Sequence, residues 1–203
     1  MRLLLVRHAE TAWNEAGRYQ GWEDPRLSER GIATAERIGT LLRNRCPKHC
    51  PVWSSDLRRA EQTACIALGC APRLDPRLRE LDFGAFAGRT HEENLARFGT
   101  RFADWVSRRG HAAPPDGESL EALRSRTDAW LREVRRSAAR DDDVVAVTHG
   151  GVIRVLVERL CGEEHWPANG EVHVVRWPGE HVRPTLERWS LDAPTYHHRG
   201  DDA

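Results

Sequence analysis

Residues 1–14 run MRLLLVRHAETAWN, with four apolar residues, Leu3 to Val6, set directly before Arg7 and His8. A short apolar run bounded by polar residues predicts a buried strand. Its end on a cation and an imidazole raises the question of what those side chains hold. A second stretch has the same form: Val144-Val145-Ala146-Val147 is the continuous apolar run of a central parallel strand, and it passes into Thr148-His149-Gly150. In open α/β sheets the ligand site lies beyond the carboxyl ends of the strands. If the two strands are neighbours, His8 and His149 converge on one site.

Outward from these two runs, strand and helix signals alternate. Ser28 is an N-cap for a helix carrying Ile32, Ala35, Ile38, Gly39 and Leu42, with Leu27 and Ile32 spaced as a hydrophobic staple and Cys46-Pro47 as its end. Residues 51–54 form a short strand. A helix from about Asp56 uses Leu57, Ala60, Ala64 and Leu68, and Gly69 and Pro72 close it. Residues 82–117 are less regular, with one helix over Leu95–Val106. A long amphipathic helix covers Ser119–Ala138 and another Val152–Leu160. Glu171–Trp177 and Val182–Trp189 predict a hairpin at the sheet edge, because Pro184 inside the second run is tolerated only there. The alternation predicts an α/β fold, a three-layer sandwich with a mostly parallel central sheet and helices on both faces. It forms one domain over residues 1–191, followed by a polar tail over 192–203.

Composition narrows the function. The chain has 203 residues, enough for one substantial core, with 39% hydrophobic and 31% charged residues and a formal net charge of zero. The charges are interspersed, which argues against nucleic acid or a membrane surface as partner. Lys48 is the only lysine, so a Walker-type phosphate loop and Schiff-base chemistry are excluded. No targeting segment or membrane span is visible, and the expected location is cytoplasmic. Nothing in the sequence sets monomer against homodimer.

The five cysteines are expected as reduced thiols. Cys46 and Cys50, with Cys65 and Cys70, fit no common zinc spacing. His165, His173, His181, His197 and His198 fall on scattered positions and are expected at the surface, so no metal is expected. No cysteine is followed six residues later by arginine, which removes the cysteine-nucleophile phosphatases. Asp141-Asp142-Asp143 precedes its strand and reads as a solvated turn. Of the eight tryptophans, Trp53 and Trp130 belong to the core, Trp166, Trp177 and Trp189 to edge elements, and Trp22 to the mouth of a pocket.

Taken alone, a histidine at a strand end is usually structural. Here two occupy equivalent positions, Arg58-Arg59 open the helix after the second strand, and Glu80 lies in a turn before Gly84. Two imidazoles, several guanidiniums and one acid suit phosphoryl transfer. A dianionic phosphate favours the planar donors of arginine. A neutral imidazole attacks phosphorus and splits one hard displacement into two easier ones. A carboxyl group among phosphate oxygens can hold the proton that the leaving alkoxide needs.

Arg7-His8-Ala9-Glu10-Thr11 with Asn14, Gly21 and Trp22 resembles the signature of the histidine phosphatase superfamily, phosphoglycerate mutase-like branch. Ser55-x-Leu57-x-Arg59-Ala60-x-x-Thr63, Glu80 before Phe83-Gly84, and Thr148-His149-Gly150 match its other blocks, in order. The resemblance covers residues 2 to about 160. It implies a metal-independent, cofactor-free phosphomonoesterase acting on a small phosphorylated metabolite through a phosphohistidine on His8. Arg7, Arg59 and His149 would clamp the phosphoryl group, and Glu80 would serve as acid and then base. Asn14 and the Gly150 amide would be further donors, with Gln20, Gly21 and Trp22 near the substrate and residues 82–117 as a cap that sets specificity. Arg58, about 100° from Arg59 on a helix, would be a structural or surface partner.

The pattern departs at Ala9, where the family usually carries glycine; a conformation suited only to glycine would cost about 1 kcal/mol there. Two alternatives accompany this reading. One is mutase-type phosphoryl transfer, in which the resemblance implies a tyrosine, a lysine and an asparagine where this chain has Phe83, His91 and Gly151. Arg108-Arg109, by contrast, echoes a paired arginine of the mutases. The other is a phospho-ligand-binding relative without turnover.

Overall fold

Alternate residues of a strand face opposite sides of a sheet, and the apolar runs at 3–6 and 144–147 therefore need cover on both faces. A computed structural model describes residues 1–46, 50–107, 112–139, 142–178 and 182–191. Strands β1 (Arg2–Arg7), β2 (Val52–Ser54), β3 (Arg73–Leu74), β4 (Asp143–Thr148), β5 (Val172–Arg176) and β6 (Thr185–Trp189) form one sheet in the order β3-β2-β4-β1-β5-β6. The first four strands of that order are mutually parallel, β5 pairs antiparallel with β1, and β6 pairs antiparallel with β5. Leu3, Leu5, Val144 and Ala146 face one core, closed by helices α6 (Leu120–Ser137) and α7 (Gly150–Cys161). Leu4, Val6, Val145 and Val147 face the other, closed by α2 (Glu29–Arg43) and α3 (Arg58–Leu68). This is the expected three-layer α/β sandwich.

β1 and β4 are neighbours in parallel register, with Arg7 opposite Thr148. His8 and His149 are thus the next residues off two adjacent strand ends. The hairpin of β5 and β6 stands at the edge, and Pro184 falls just before β6, so the second strand begins three residues later than expected. Asp143 is not in a solvated turn. It is buried at the opposite end of β4 from His149 and forms a bidentate ion pair with Arg2 of the adjoining strand.

Local chemistry explains the helix ends. The Ser28 hydroxyl accepts from Gly31 N at 3.1 Å, and Ser119 caps α6 in the same way. Ile32, however, is 43% exposed. The inward position on that turn belongs to Gly31, because α2 passes against the backbone of Glu10, and Ile32 lies about 100° off the buried stripe. The single helix expected at 95–106 is two, α4 (His91–Phe98) and α5 (Thr100–Ser107). Thr90 and Glu93 form a capping box that starts α4 earlier, and Gly99, at φ 52°, breaks the run. The polar tail and Arg108-Arg109 lie outside the described residues. Among the described residues, no helix is long and apolar enough to cross a membrane.

Candidate active site

Beyond the carboxyl ends of β1 and β4 lies a cavity of about 410 Å³, with Arg7, His8, Asn14, Gln20, Gly21, Arg59 and Glu80 in its wall. His149 is fully buried beside it, its ring centroid 5.1 Å from that of His8. His8 Nδ1 lies 2.7 Å from the Ala9 carbonyl. That oxygen can only accept, so Nδ1 carries the proton and Nε2 keeps its lone pair. Arg59 Nε donates to Nε2 at 3.3 Å, as this tautomer requires. Both ring nitrogens of His149 are buried without a hydrogen bond to any described residue.

The cations are held by backbone oxygens. The fully buried Arg59 donates to Gly21 O at 2.8 Å and Glu23 O at 2.7 Å. Burial pushes its pKa down to about 10. Arg7 donates to Pro167 O at 2.5 Å and is also lowered by burial. Arg58 is exposed, as expected. Asn14 Oδ1 accepts from Thr11 N, Thr11 Oγ1 and Asn169 Nδ2, which leaves its NH₂ group as the donor toward the cavity.

Glu80 is fixed from two sides. Its Oε1 accepts from Leu81 N at 2.8 Å, and both carboxylate oxygens lie 3.1 Å from Gly151 N at the start of α7. A Cβ on residue 151 would come within 2.2 Å of Oε1, so a side chain there would push the acid out of this position. The Glu80 carbonyl accepts from Trp22 Nε1 and from Arg126 Nη2, each at 2.8 Å. Arg126, paired with Glu118, also holds the carbonyls of Arg77 and Arg79.

Ala9 does not have a positive φ. It is fully buried, with its N–H donated to Thr63 Oγ1 at 3.0 Å, so the departure from glycine involves no conformational cost. Trp22 and Gly150 are not in the cavity wall. The indole of Trp22 braces the Glu80 backbone instead, and Gly150 packs beneath the Trp166 ring. The outer wall is formed by Tyr19, Phe83, Trp105, Leu123 and Trp166; sequence reasoning placed Phe83 and Trp105 in the specificity cap but missed Tyr19 and Leu123 and assigned Trp166 to an edge element. It also missed Asn169, which donates to His8 O at 3.0 Å. These residues come from five separate segments, and no periodicity or spacing connects them.

Burial, reinforced by Arg59, holds the His8 and His149 imidazoles well below the ordinary value of about 6.5, and Arg7 acts on both in the same sense. The unfolded chain therefore takes up protons below pH 6.5 that the folded chain refuses. Stability then falls as pH drops, by up to about 1.4 kcal/mol per pH unit for each such imidazole. The melting temperature is expected to decline on acidification from pH 7 to 5 in differential scanning fluorimetry, and a flat profile would contradict the buried neutral pair.

An α/β sheet presenting two neutral imidazoles, one buried guanidinium and one half-buried guanidinium beyond its parallel strand ends defines a class of phosphoryl-binding enzymes. The profile of the histidine phosphatase superfamily (branch 1) matches residues 3–192. The chain belongs to that superfamily and is classed with its phosphoric monoester hydrolases. It is 35% identical to the adenosylcobalamin/alpha-ribazole phosphatase of Salmonella typhimurium, covering 79% of each chain. It is 32% identical to the 2,3-bisphosphoglycerate-dependent phosphoglycerate mutase of Xanthobacter autotrophicus, over 78% of this chain and 80% of that one. The structure of mycobacterial glucosyl-3-phosphoglycerate phosphatase, complexed with VO3, superimposes with a TM-score of 0.80 at 32% identity, over 93% of this chain and 98% of that one.

Proposed function

We propose that this protein is a metal-independent phosphomonoesterase that works through a phosphohistidine on His8. The observation that carries the reading is the His8 tautomer. The Ala9 carbonyl ties up Nδ1, burial keeps the ring neutral, and Nε2 faces the cavity with its lone pair among guanidiniums. In the first step Nε2 attacks phosphorus, the P–O ester bond breaks, and Glu80 gives its proton to the departing alkoxide. Arg59 Nε–H passes from Nε2 to a phosphoryl oxygen, Arg7 and Asn14 hold the others from the cavity wall, and His149, beside the cavity with its ring nitrogens unpartnered, is a further donor. In the second step Glu80 takes a proton from water as that water attacks phospho-His8, and phosphate leaves.

The alcohol part of the substrate would lie against Tyr19, Phe83, Trp105, Leu123 and Trp166, so the reading extends to small phosphorylated metabolites with an aromatic or apolar face. In this reading residues 82–117 set specificity, since Phe83, His91 and Trp105 line the cavity. Mutase-type transfer is the second reading, supported by mutase-named relatives. Against it, the three positions where the mutase pattern places a hydroxyl, an amine and an amide carry Phe83, His91 and Gly151, all of them in the cavity wall.

The test is hydrolysis of p-nitrophenyl phosphate in EDTA, with acid quenching and intact mass measurement. Turnover unaffected by chelation, together with an acid-labile phosphate adduct, is expected. Turnover without an adduct would overturn the mechanism. Gly151→Ala gives a second expectation. The added methyl displaces the Glu80 carboxylate, and kcat falls by about 10²-fold with little change in melting temperature. A wild-type kcat in that variant would remove Glu80 from the chemistry.

A further inference from the structure

His173 is not the surface residue its sequence context suggested. It lies in β5, fully buried, and neither ring nitrogen makes a hydrogen bond to any described residue. An orphaned buried imidazole carries the full cost of its desolvation, which calls for a partner that the described residues do not supply. Glu171 stands two residues earlier, so its side chain points to the same side of the chain. The segment before β5 folds back to bring His165 alongside, with the two rings' centroids 5.2 Å apart.

The three ligand atoms already stand at the spacing of a metal's coordination shell. With metal–ligand bonds of about 2.1 Å, the vertices of a tetrahedral site are about 3.4 Å apart. His165 Nε2 is 3.2 Å from the Glu171 carboxylate oxygens, His173 Nε2 is 3.7 Å from Glu171 Oε1, and all three ligand atoms lie within 4.8 Å of one another. The last of these contacts is too long for a hydrogen bond and suits a shared ion. Glu171 Oε2 also accepts from Ala168 N at 2.8 Å, an outer contact of the kind that orients ligating carboxylates.

We propose that His165, Glu171 and His173 form a binding site for a divalent transition-metal ion of the zinc class, with its fourth position open to solvent. Two imidazoles and one carboxylate select such an ion over magnesium or calcium, which favour all-oxygen shells. His165 is one-third exposed, and this provides the entry path. Arg188 lies opposite His173 in the β5–β6 register, with Glu163 3.7 Å from its guanidinium. The ion would fasten residues 165–171 to the sheet. That segment carries the Pro167 carbonyl that holds Arg7 and the Asn169 amide that holds the His8 backbone. None of the three ligands lines the phosphate cavity, so the role is structural bracing and is independent of the phosphatase reading.

The experiment is titration of the EDTA-treated, dialysed full chain with zinc chloride, followed by calorimetry and thermal shift. Wild type, His165→Ala, Glu171→Gln, His8→Ala and a Cys46→Ser/Cys50→Ser double variant would be compared. The expected result is one equivalent bound, with a rise of several degrees in Tm. Affinity should weaken at least about tenfold in His165→Ala and Glu171→Gln and stay unchanged in the other two. His165→Ala alters a partly exposed side chain, so its fold is retained and its loss of binding is interpretable. Absence of binding, binding undiminished in His165→Ala, or binding lost in His8→Ala or in the cysteine variant would each overturn the site.

Discussion

His8→Ala eliminates hydrolysis of p-nitrophenyl phosphate, a fall of at least about 10⁴-fold, and the phosphate adduct disappears from the acid-quenched mass spectrum. The size of the effect follows from the site having one nucleophile. His149 is fully buried and outside the cavity wall, and His91 stands in the outer wall against Tyr19 and Phe102, so neither has His8's place beside Arg59. The fold survives, because the contacts that hold this position run through the backbone: His8 N donates to Thr148 O, and His8 O accepts from Asn169. A second change accompanies the first. The variant lacks one buried neutral imidazole, so its melting temperature falls less steeply between pH 7 and 5 than that of wild type. Retention of the wild-type rate by His8→Ala would sink the phosphohistidine mechanism.

Glu80→Gln separates the two steps. The amide oxygen of glutamine can still accept from Leu81 N and Gly151 N, so the side chain keeps its place while losing its proton chemistry. Turnover of an alkyl phosphate, whose leaving group needs a proton, is expected to fall by about 10²–10⁴-fold. p-Nitrophenolate leaves without protonation, so phosphorylation of His8 by p-nitrophenyl phosphate is nearly spared. The second step still lacks its base. A burst of nitrophenol followed by slow turnover is therefore expected, with the adduct accumulating to a large fraction of the enzyme. Equal loss on both substrates with no adduct would mean that Glu80 acts only by binding.

The legibility of the site varied with how local each residue's signal was. Arg7, His8 and His149 announce themselves because each follows an apolar run that can only be a buried strand, and the strand's end is where a parallel sheet binds. Arg59 is distinguished from Arg58 by the family block it resembles, as the residue before Ala60. His173 was misjudged for the same local reason: in Glu171-Val-His-Val-Val it reads as the polar member of an alternating edge strand. Only the covering layer and the return of the 165–171 segment bury it beside Glu171.

The middle region was least legible. Gly99 splits a helix that periodicity alone runs straight through, and Tyr19, Phe83, Trp105 and Trp166 become one wall only by folding. Ala9 shows the reverse case. A departure that looks costly in sequence carries no cost in structure, because the backbone there never enters the left-handed region.

By itself, the sequence determined the three-layer α/β plan, the two strand ends that carry the imidazoles, and the residue types able to move a phosphoryl group. Hydrophobic periodicity and strand-end chemistry are properties of neighbouring residues, and they survive in the linear chain. The tertiary structure alone decided which nitrogen of His8 is free, how closely residue 151 stands against the acid, which aromatic rings face the ligand and that His173 is buried without a partner. Those depend on backbone conformation and on how segments pack, some of them far apart in sequence, as Glu80 and Gly151 are. Packing sets such distances, and no spacing in the sequence encodes them.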